Sequence, residues 1–215
     1  MIQSSLSGIK VVDRVSYICN LCKGKKVLHL GATDAPVTKE AIVSGRLLHN
    51  FLNDVCQEVV GLDISIEMIN WLESQHGIKN IKYGNIEEAE DYPQGEFDYI
   101  VAGEILEHLS NPGNALDAIR RNTKNNTKLI ITVPNAYSFK GFVRAVGKRE
   151  LIHSDHILHH SPYTLKALLE RHGFSVESYF SFVNGGQGLA ASVANWLLYI
   201  YPQLAEGIGV ICVPQ

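Results

Sequence analysis

Apolar runs of three to six residues alternate along the chain with longer stretches whose apolar positions recur at helical spacing. Val27-Leu28-His29-Leu30 is the first run and ends at Gly31. Val59–Asp63, Ile81–Tyr83, Phe97–Ala102 and Leu129–Val133 follow, the last stopped by Pro134; Phe174–Phe182 and Ile208–Val213 bring the predicted strands to seven. Between them, Val37 to Val55 carries Ile42, Val43, Leu47, Leu48, Phe51, Leu52 and Val55, the pattern of one long helix. Ser65 is placed to cap a helix running through Leu72, Asn111-Pro112 opens another with Leu116 and Ile119 on its apolar face, and Tyr163–Arg171 ends at Gly173, a suitable left-handed cap.

Short, evenly apolar strands separated by helices belong to a parallel sheet covered on both faces. The expected fold class is α/β: a doubly wound, mostly parallel seven-stranded sheet with helices on both faces. One domain spans 1–215, with 1–25 an N-terminal helical segment. Such sheets bind ligands beyond the carboxyl ends of their strands. Gly31 stands at such an end, where a Cβ would obstruct a ligand approaching the backbone. Asp63 ends the second strand, where a carboxylate can accept both hydroxyls of a ribose, although capping the next helix would also suit it. Asn85 follows the third strand; its amide can accept from an adenine amino group, with Ile64 and Ile86 on either side of the ring, and an ordinary turn residue is the alternative.

Charge and composition narrow the partners. Lys+Arg 19 against Asp+Glu 22 gives a net charge of −3, which argues against a nucleic-acid partner, since backbone binding calls for a basic domain. A 46% hydrophobic content supplies a core, and four Cys are too few for a disulfide scaffold. No basic-then-apolar leader opens the sequence, so a reducing, cytoplasmic location is expected. Cys19 and Cys22 form an isolated pair without two further ligands and are read as small core residues.

The motifs Val27-Leu28-His29-Leu30-Gly31, Val60-Gly61-Leu62-Asp63-Ile64, Gly84-Asn85, Phe97-Asp98-Tyr99-Ile100 and Ala102-Gly103-Glu104-Ile105-Leu106-Glu107-His108-Leu109 succeed one another in order. With Val133-Pro134-Asn135-Ala136, Asp155-His156-Ile157, Ser161-Pro162-Tyr163 and Leu168–Phe174, the string resembles class I S-adenosylmethionine-dependent methyltransferases over roughly residues 26 to 180. The resemblance implies the Rossmann-like methyltransferase fold and S-adenosyl-L-methionine as cofactor, held by Gly31, Asp34, Asp63, Ile64, Asn85, Ile86, Gly103 and Glu104. Two features depart from the broad pattern. His29 occupies the usual acidic position, and Gly31-Ala32-Thr33-Asp34-Ala35 keeps one glycine of three. With Leu48-His49 in a lengthened first crossover, these features resemble a subgroup associated with glycan and cell-surface polysaccharide synthesis.

Transfer of a methyl group to oxygen needs alignment and often a base, a role suited to histidine near neutrality. His108, after the fourth strand, and His156 are the catalytic candidates, with a structural loop role as the alternative for His108. Four of the nine His fall between His153 and His160. The resemblance sets this run in an insertion, 137–163, that covers the acceptor pocket, so Tyr137, His153 and His159 are expected substrate contacts and no metal is expected. Lys140, Arg144 and Lys148 form a basic stripe beside Phe139, Phe142 and Val143, either a solvated face or a contact with a lipid-linked acceptor at a membrane surface. Leu189–Ile200 reads as a core or interface helix too short to span a bilayer, preceded by a hinge at Gly185-Gly186-Gln187-Gly188.

The leading expectation is methyl transfer from S-adenosylmethionine to a small-molecule or glycan-type acceptor, at oxygen. The alternatives are a non-catalytic scaffold with the same fold, favoured by the depleted glycine loop, and a nucleotide-dependent oxidoreductase, disfavoured by the absent Gly-x-Gly-x-x-Gly. Oligomeric state is left open by the sequence.

Overall fold

The strand alternation sends two sets of side chains to opposite sides of one sheet. In the computed structural model, which describes residues 8–183 and 198–215, Val27, Val59, Val101 and Ile130 pack on one face against Ile18, Cys22, Leu48 and Leu52. Leu28, Leu30, Ile100, Ala102, Leu129 and Ile131 pack on the other against Leu116, Ile119, Leu165 and Leu169. Full burial of these side chains on both faces is why the strands read as unbroken apolar runs.

The elements run β1 (Val11–Val12), α1 (Arg14–Cys22), β2 (Lys26–Leu30), α2 (Thr38–Val43), α3 (Leu48–Val55), β3 (Glu58–Asp63), α4 (Ile66–His76), β4 (Ile81–Tyr83) and β5 (Tyr99–Gly103). Then come α5 (Pro112–Arg121), β6 (Lys128–Pro134), α6 (Phe139–Val146), α7 (Pro162–Arg171), β7 (Phe174–Phe182) and β8 (Gly207–Pro214). The sheet order is β1-β7-β8-β6-β5-β2-β3-β4, with β8 antiparallel to both neighbours and the other pairs parallel. Strand order reverses at β2, between β3 and β5, so the loops after β2 and β5 open side by side.

Three expectations are corrected. Among the described residues the sheet has eight strands, because Val11–Val12 adds to the outer edge of β7; the 1–25 segment is therefore not wholly helical. The predicted helix 37–55 is two helices, broken at Gly45, whose φ of 62° is left-handed. The helix after Ser65 runs past Leu72 to His76, where Gly77 closes it in the left-handed conformation. The predicted hinge at 185–188 and most of the 189–200 segment lie outside the described residues. Among the described residues, no helix is long and apolar enough to cross a membrane.

Cysteines and glycines fill specific places. Cys22 is buried among α1 and α3, with Cys19 and Cys56 packed beside it. On β8, Gly207 pairs with Phe182 and Gly209 with Phe180, and each phenyl ring lies over the glycine opposite, where a Cβ would collide with it.

Candidate functional site

The β2–α2 turn and the β5–α5 loop form adjoining walls at the carboxyl edge of the sheet. Gly31 leaves β2 with φ 70°, and a Cβ there would lie 2.6 Å from Ile105 Cδ1, so the glycine is needed both for its backbone and for close approach of the β5 loop. Asp63, at the end of β3, is buried and accepts from the backbone N–H groups of Thr33 and Ser65, each at 2.8 Å. It thereby ties the two strand-end loops together. Each carboxylate oxygen has a second lone pair to offer a ligand. Ile64 beside it is 63% exposed, whereas Ile86 is buried in the core. Of the two aliphatic groups expected around a flat ring, only Ile64 presents a broad free surface. Asn85 is half-buried and turns its Oδ1 to the Glu87 N–H, an Asx-type turn.

His29 meets the His49 of the lengthened crossover in space. His29 on β2 and His49 on α3 are buried, with their Nδ1 atoms 3.2 Å apart and rings stacked. Asn80 donates through Nδ2 to Asn53 Oδ1 and the Val59 carbonyl, leaving Oδ1 to face His49 Nε2 at 3.2 Å. An amide oxygen only accepts, so His49 carries its proton on Nε2. Its bare Nδ1 then accepts from Nδ1–H of His29. Burial holds both rings neutral: His49 is pushed down to about 4, and His29 well below its ordinary value, with the neighbouring His49 adding to the effect.

Two clefts open beyond the strand ends. The first, about 930 Å³, is lined by Arg14, Asp34, Arg46, Glu104, His108, His153 and His156 among others. The second, about 1120 Å³, is lined by α6 and the 148–153 loop, with Tyr137, His159 and Glu206, and shares Glu104, His153 and His156 with the first. Of the predicted residues, Asp34, Glu104, His108, His153 and His156 are thus gathered in the first cleft, and Tyr137 and His159 in the second. Gly31, Asp63, Ile64, Asn85, Ile86 and Gly103 line neither. They cluster at the ends of β2, β3, β4 and β5.

Glu104 is the focus of the junction. It follows β5 with φ 54°, left-handed for a residue with a side chain, and its N–H is held by the Thr132 carbonyl at 2.9 Å. Its Oε1 is shut from solvent and has no partner among the described residues, and burial raises its carboxyl above the ordinary range against the opposing pull of Arg14. Arg14 lies over the Phe182 ring at 5.5 Å and donates to Thr132 Oγ1 at 3.4 Å.

The next turn, Leu106–His108, buries Glu107 completely, with neither side-chain oxygen partnered among the described residues. Burial first, and then the charge of Glu104, push it up to about 9. Its backbone carbonyl accepts from Ile157 N–H at 2.9 Å, which fastens the histidine-rich loop to this turn. His108 and His156 stand edge to face at 4.6 Å, with His153 5.3 Å from His156. Burial, followed by the neighbouring His108, His153 and His159, lowers His156 and keeps it neutral near pH 7.

Arg14 and Glu107 were not among the predicted site residues. Arg14 belongs to a nine-residue helix preceding every motif, and no local pattern in the sequence ties it to the strand ends. Glu107 had a signal, a carboxylate next to His108, but its burial and the tie of its carbonyl to the Ile157 N–H come from the fold.

A family model described as a methyltransferase domain matches residues 15–179. No curated protein matches the chain. Among solved structures, a SAM-dependent methyltransferase from Archaeoglobus fulgidus is 19% identical, with a TM-score of 0.57 over 93% of this chain and 91% of that one. A possible histamine N-methyltransferase from Thermotoga maritima is 14% identical, with a TM-score of 0.62 over 94% and 87%. The magnesium protoporphyrin IX methyltransferase of Synechocystis, crystallised with bound SAH, is 12% identical, with a TM-score of 0.58 over 94% and 82%. At these identities the likeness is one of fold.

Proposed function

This chain belongs to the methyltransferase-domain family, and from that premise we propose that it moves a methyl group to an oxygen of a small-molecule or glycan-type acceptor, with His108 and His156 at the transfer point. S-adenosylmethionine is the cofactor; when bound it supplies an electrophilic methyl on sulfur. The residues present fit such a group. Asp63 keeps lone pairs for ribose hydroxyls beside the exposed face of Ile64, and Gly31 and Gly103 keep the strand ends bare. Glu104 holds a buried oxygen without a partner among the described residues, suited to an ammonium, and Arg14 across the same cleft suits a carboxylate. The amino-acid end of the donor carries both charges. Asp34 lies on the same wall and can supplement the shortened glycine loop.

The observation that carries the reading is the sharing of Glu104, His153 and His156 by both clefts. The donor's amino-acid end in the first and an acceptor in the second would meet there, and their alignment would supply much of the rate. His156, neutral near pH 7, can take the proton of an acceptor hydroxyl, while Tyr137, His153 and His159 orient the rest of the acceptor. Support for a lipid-linked acceptor at a membrane surface comes from α6, which buries no side chain and exposes Phe142, Val143 and Val146 next to Arg144.

Thermal unfolding in the presence of S-adenosylmethionine, S-adenosylhomocysteine or NAD tests the donor assignment. Stabilisation by the first two and not by NAD is expected. Stabilisation by NAD alone would assign an oxidoreductase, and none by any of the three would favour a scaffold.

A further inference from the structure

We propose that Glu107, His108 and His156 form a binding site for one divalent transition-metal ion at the junction of the two clefts. Each offers a donor atom, and the three atoms lie within 4.8 Å of one another, the spacing of groups that can share one ion. They come from separate parts of the chain: the turn after β5 supplies Glu107 and His108, and the loop before α7 supplies His156. The 153–160 run by itself, Asp155 included, was expected to cover the acceptor pocket and to hold no metal; the fold adds a buried carboxyl group, Glu107, from the turn after β5.

Two independent observations point to a ligand. Glu107 is fully buried, and both of its oxygens lack any partner among the described residues. Native proteins leave few buried polar groups without a partner, so two unpaired oxygens on one buried side chain point to a bound cation or donor. The second is the orientation of His108. Its Nδ1 lies 3.2 Å from the backbone carbonyl of Asp155. A carbonyl only accepts, so the proton must sit on Nδ1, and Nε2 is left bare with its lone pair free. That is the outer-shell arrangement that fixes metal-binding histidines elsewhere: one ring nitrogen donates to a carbonyl and the other ligates. The Ile157 N–H to Glu107 carbonyl bond, at 2.9 Å, holds the two halves of the site in register.

Two imidazoles and a carboxylate suit Mn²⁺, Co²⁺ or Zn²⁺ better than Mg²⁺ or Ca²⁺, which favour all-oxygen shells. Three protein ligands leave coordination positions open, and His156 borders both clefts, so the open side faces the acceptor. With the ion bound, His156 gives its lone pair to the metal in place of taking the acceptor's proton, and the ion would anchor an acceptor oxygen there and ease its deprotonation. This deepens the methyl-transfer reading and rests on it only for that last role.

The test titrates metal-stripped protein, without S-adenosylmethionine, with MnCl₂ followed by electron paramagnetic resonance and with CoCl₂ followed by visible absorption. One bound ion per chain is expected, with affinity reduced about tenfold or more in Glu107→Gln and in His156→Ala, and unchanged in His76→Ala at the far end of α4. His156→Ala changes a partly exposed loop side chain, so it reports on the site even if Glu107→Gln fails to fold. Absence of stoichiometric binding of both ions to the wild type, or equal binding by the wild type and His156→Ala, would overturn the site. Donor binding is measured separately on the same preparations, and its failure would strike the methyl-transfer reading instead.

Discussion

Acidification should destabilise this protein through the His29–His49 pair by an amount that can be isolated. In the folded state His49 donates to Asn80 and accepts from His29, so protonating it would set N–H against N–H inside the core. The unfolded chain protonates it at an ordinary 6.5, the folded chain only at about 4. The unfolded state therefore binds more protons between these values. Stability from this residue is fully present above pH 6.5, falls as pH drops toward 4, and changes no further below that. The full difference is on the order of 3 kcal/mol, of which about 2 kcal/mol is lost between pH 7.5 and pH 5. His29, lowered in the same direction, adds to the loss. Glu104 and Glu107 act oppositely: their raised carboxyls bind protons more readily when folded, so acid favours the native state through them. A wild-type profile alone mixes these contributions. Urea unfolding at pH 7.5, 6.5 and 5, in metal-free buffer, should therefore be compared between wild type and His49→Gln. The variant will be less stable at pH 7.5 but should lose about 2 kcal/mol less on acidification. Parallel pH dependences of the two proteins would refute the assignment of neutral, mutually bonded rings.

Asp63→Ala should weaken S-adenosylmethionine binding at least about tenfold by calorimetry, and lower stability by about 2–3 kcal/mol because the Thr33 and Ser65 N–H groups lose a charged acceptor; unchanged affinity would remove the ribose role. Arg14→Leu should raise the Kd for S-adenosylmethionine about tenfold with little effect on adenosine, which lacks the amino-acid end; equal losses for both would refute a carboxylate contact. Gly209→Ala should cost about 1–3 kcal/mol in urea unfolding, because the new methyl meets the Phe180 ring held against it; a stability equal to wild type would mean that the ring swings aside freely.

The family and the sheet were legible because they rest on local signals. Apolar runs at β2, β3, β5 and β6 are buried on both faces, and that burial imposes the pattern that marks them. The caps at Ser65 and Asn111 are local side chain to backbone bonds, which sequence spacing encodes directly. Val11–Val12 was missed because two residues carry no periodicity, and only the edge of β7 makes them a strand. The break at Gly45 was missed because the apolar spacing of α2 and α3 stays in phase across it.

The sequence determined by itself which residue types stand at the strand ends: Gly31, Asp63, Glu104 and a histidine-rich loop, in an order that marks a methyltransferase. The tertiary structure decided their company. His29 and His49, twenty positions apart, became one neutral pair, because burial makes each the other's partner. Arg14 came to share a cleft with Glu104, and the Ile157 N–H fastened loop 153–158 to the Glu107 carbonyl and brought His156 near. Long-range packing sets those distances, and nothing in the local spacing of residues encodes them.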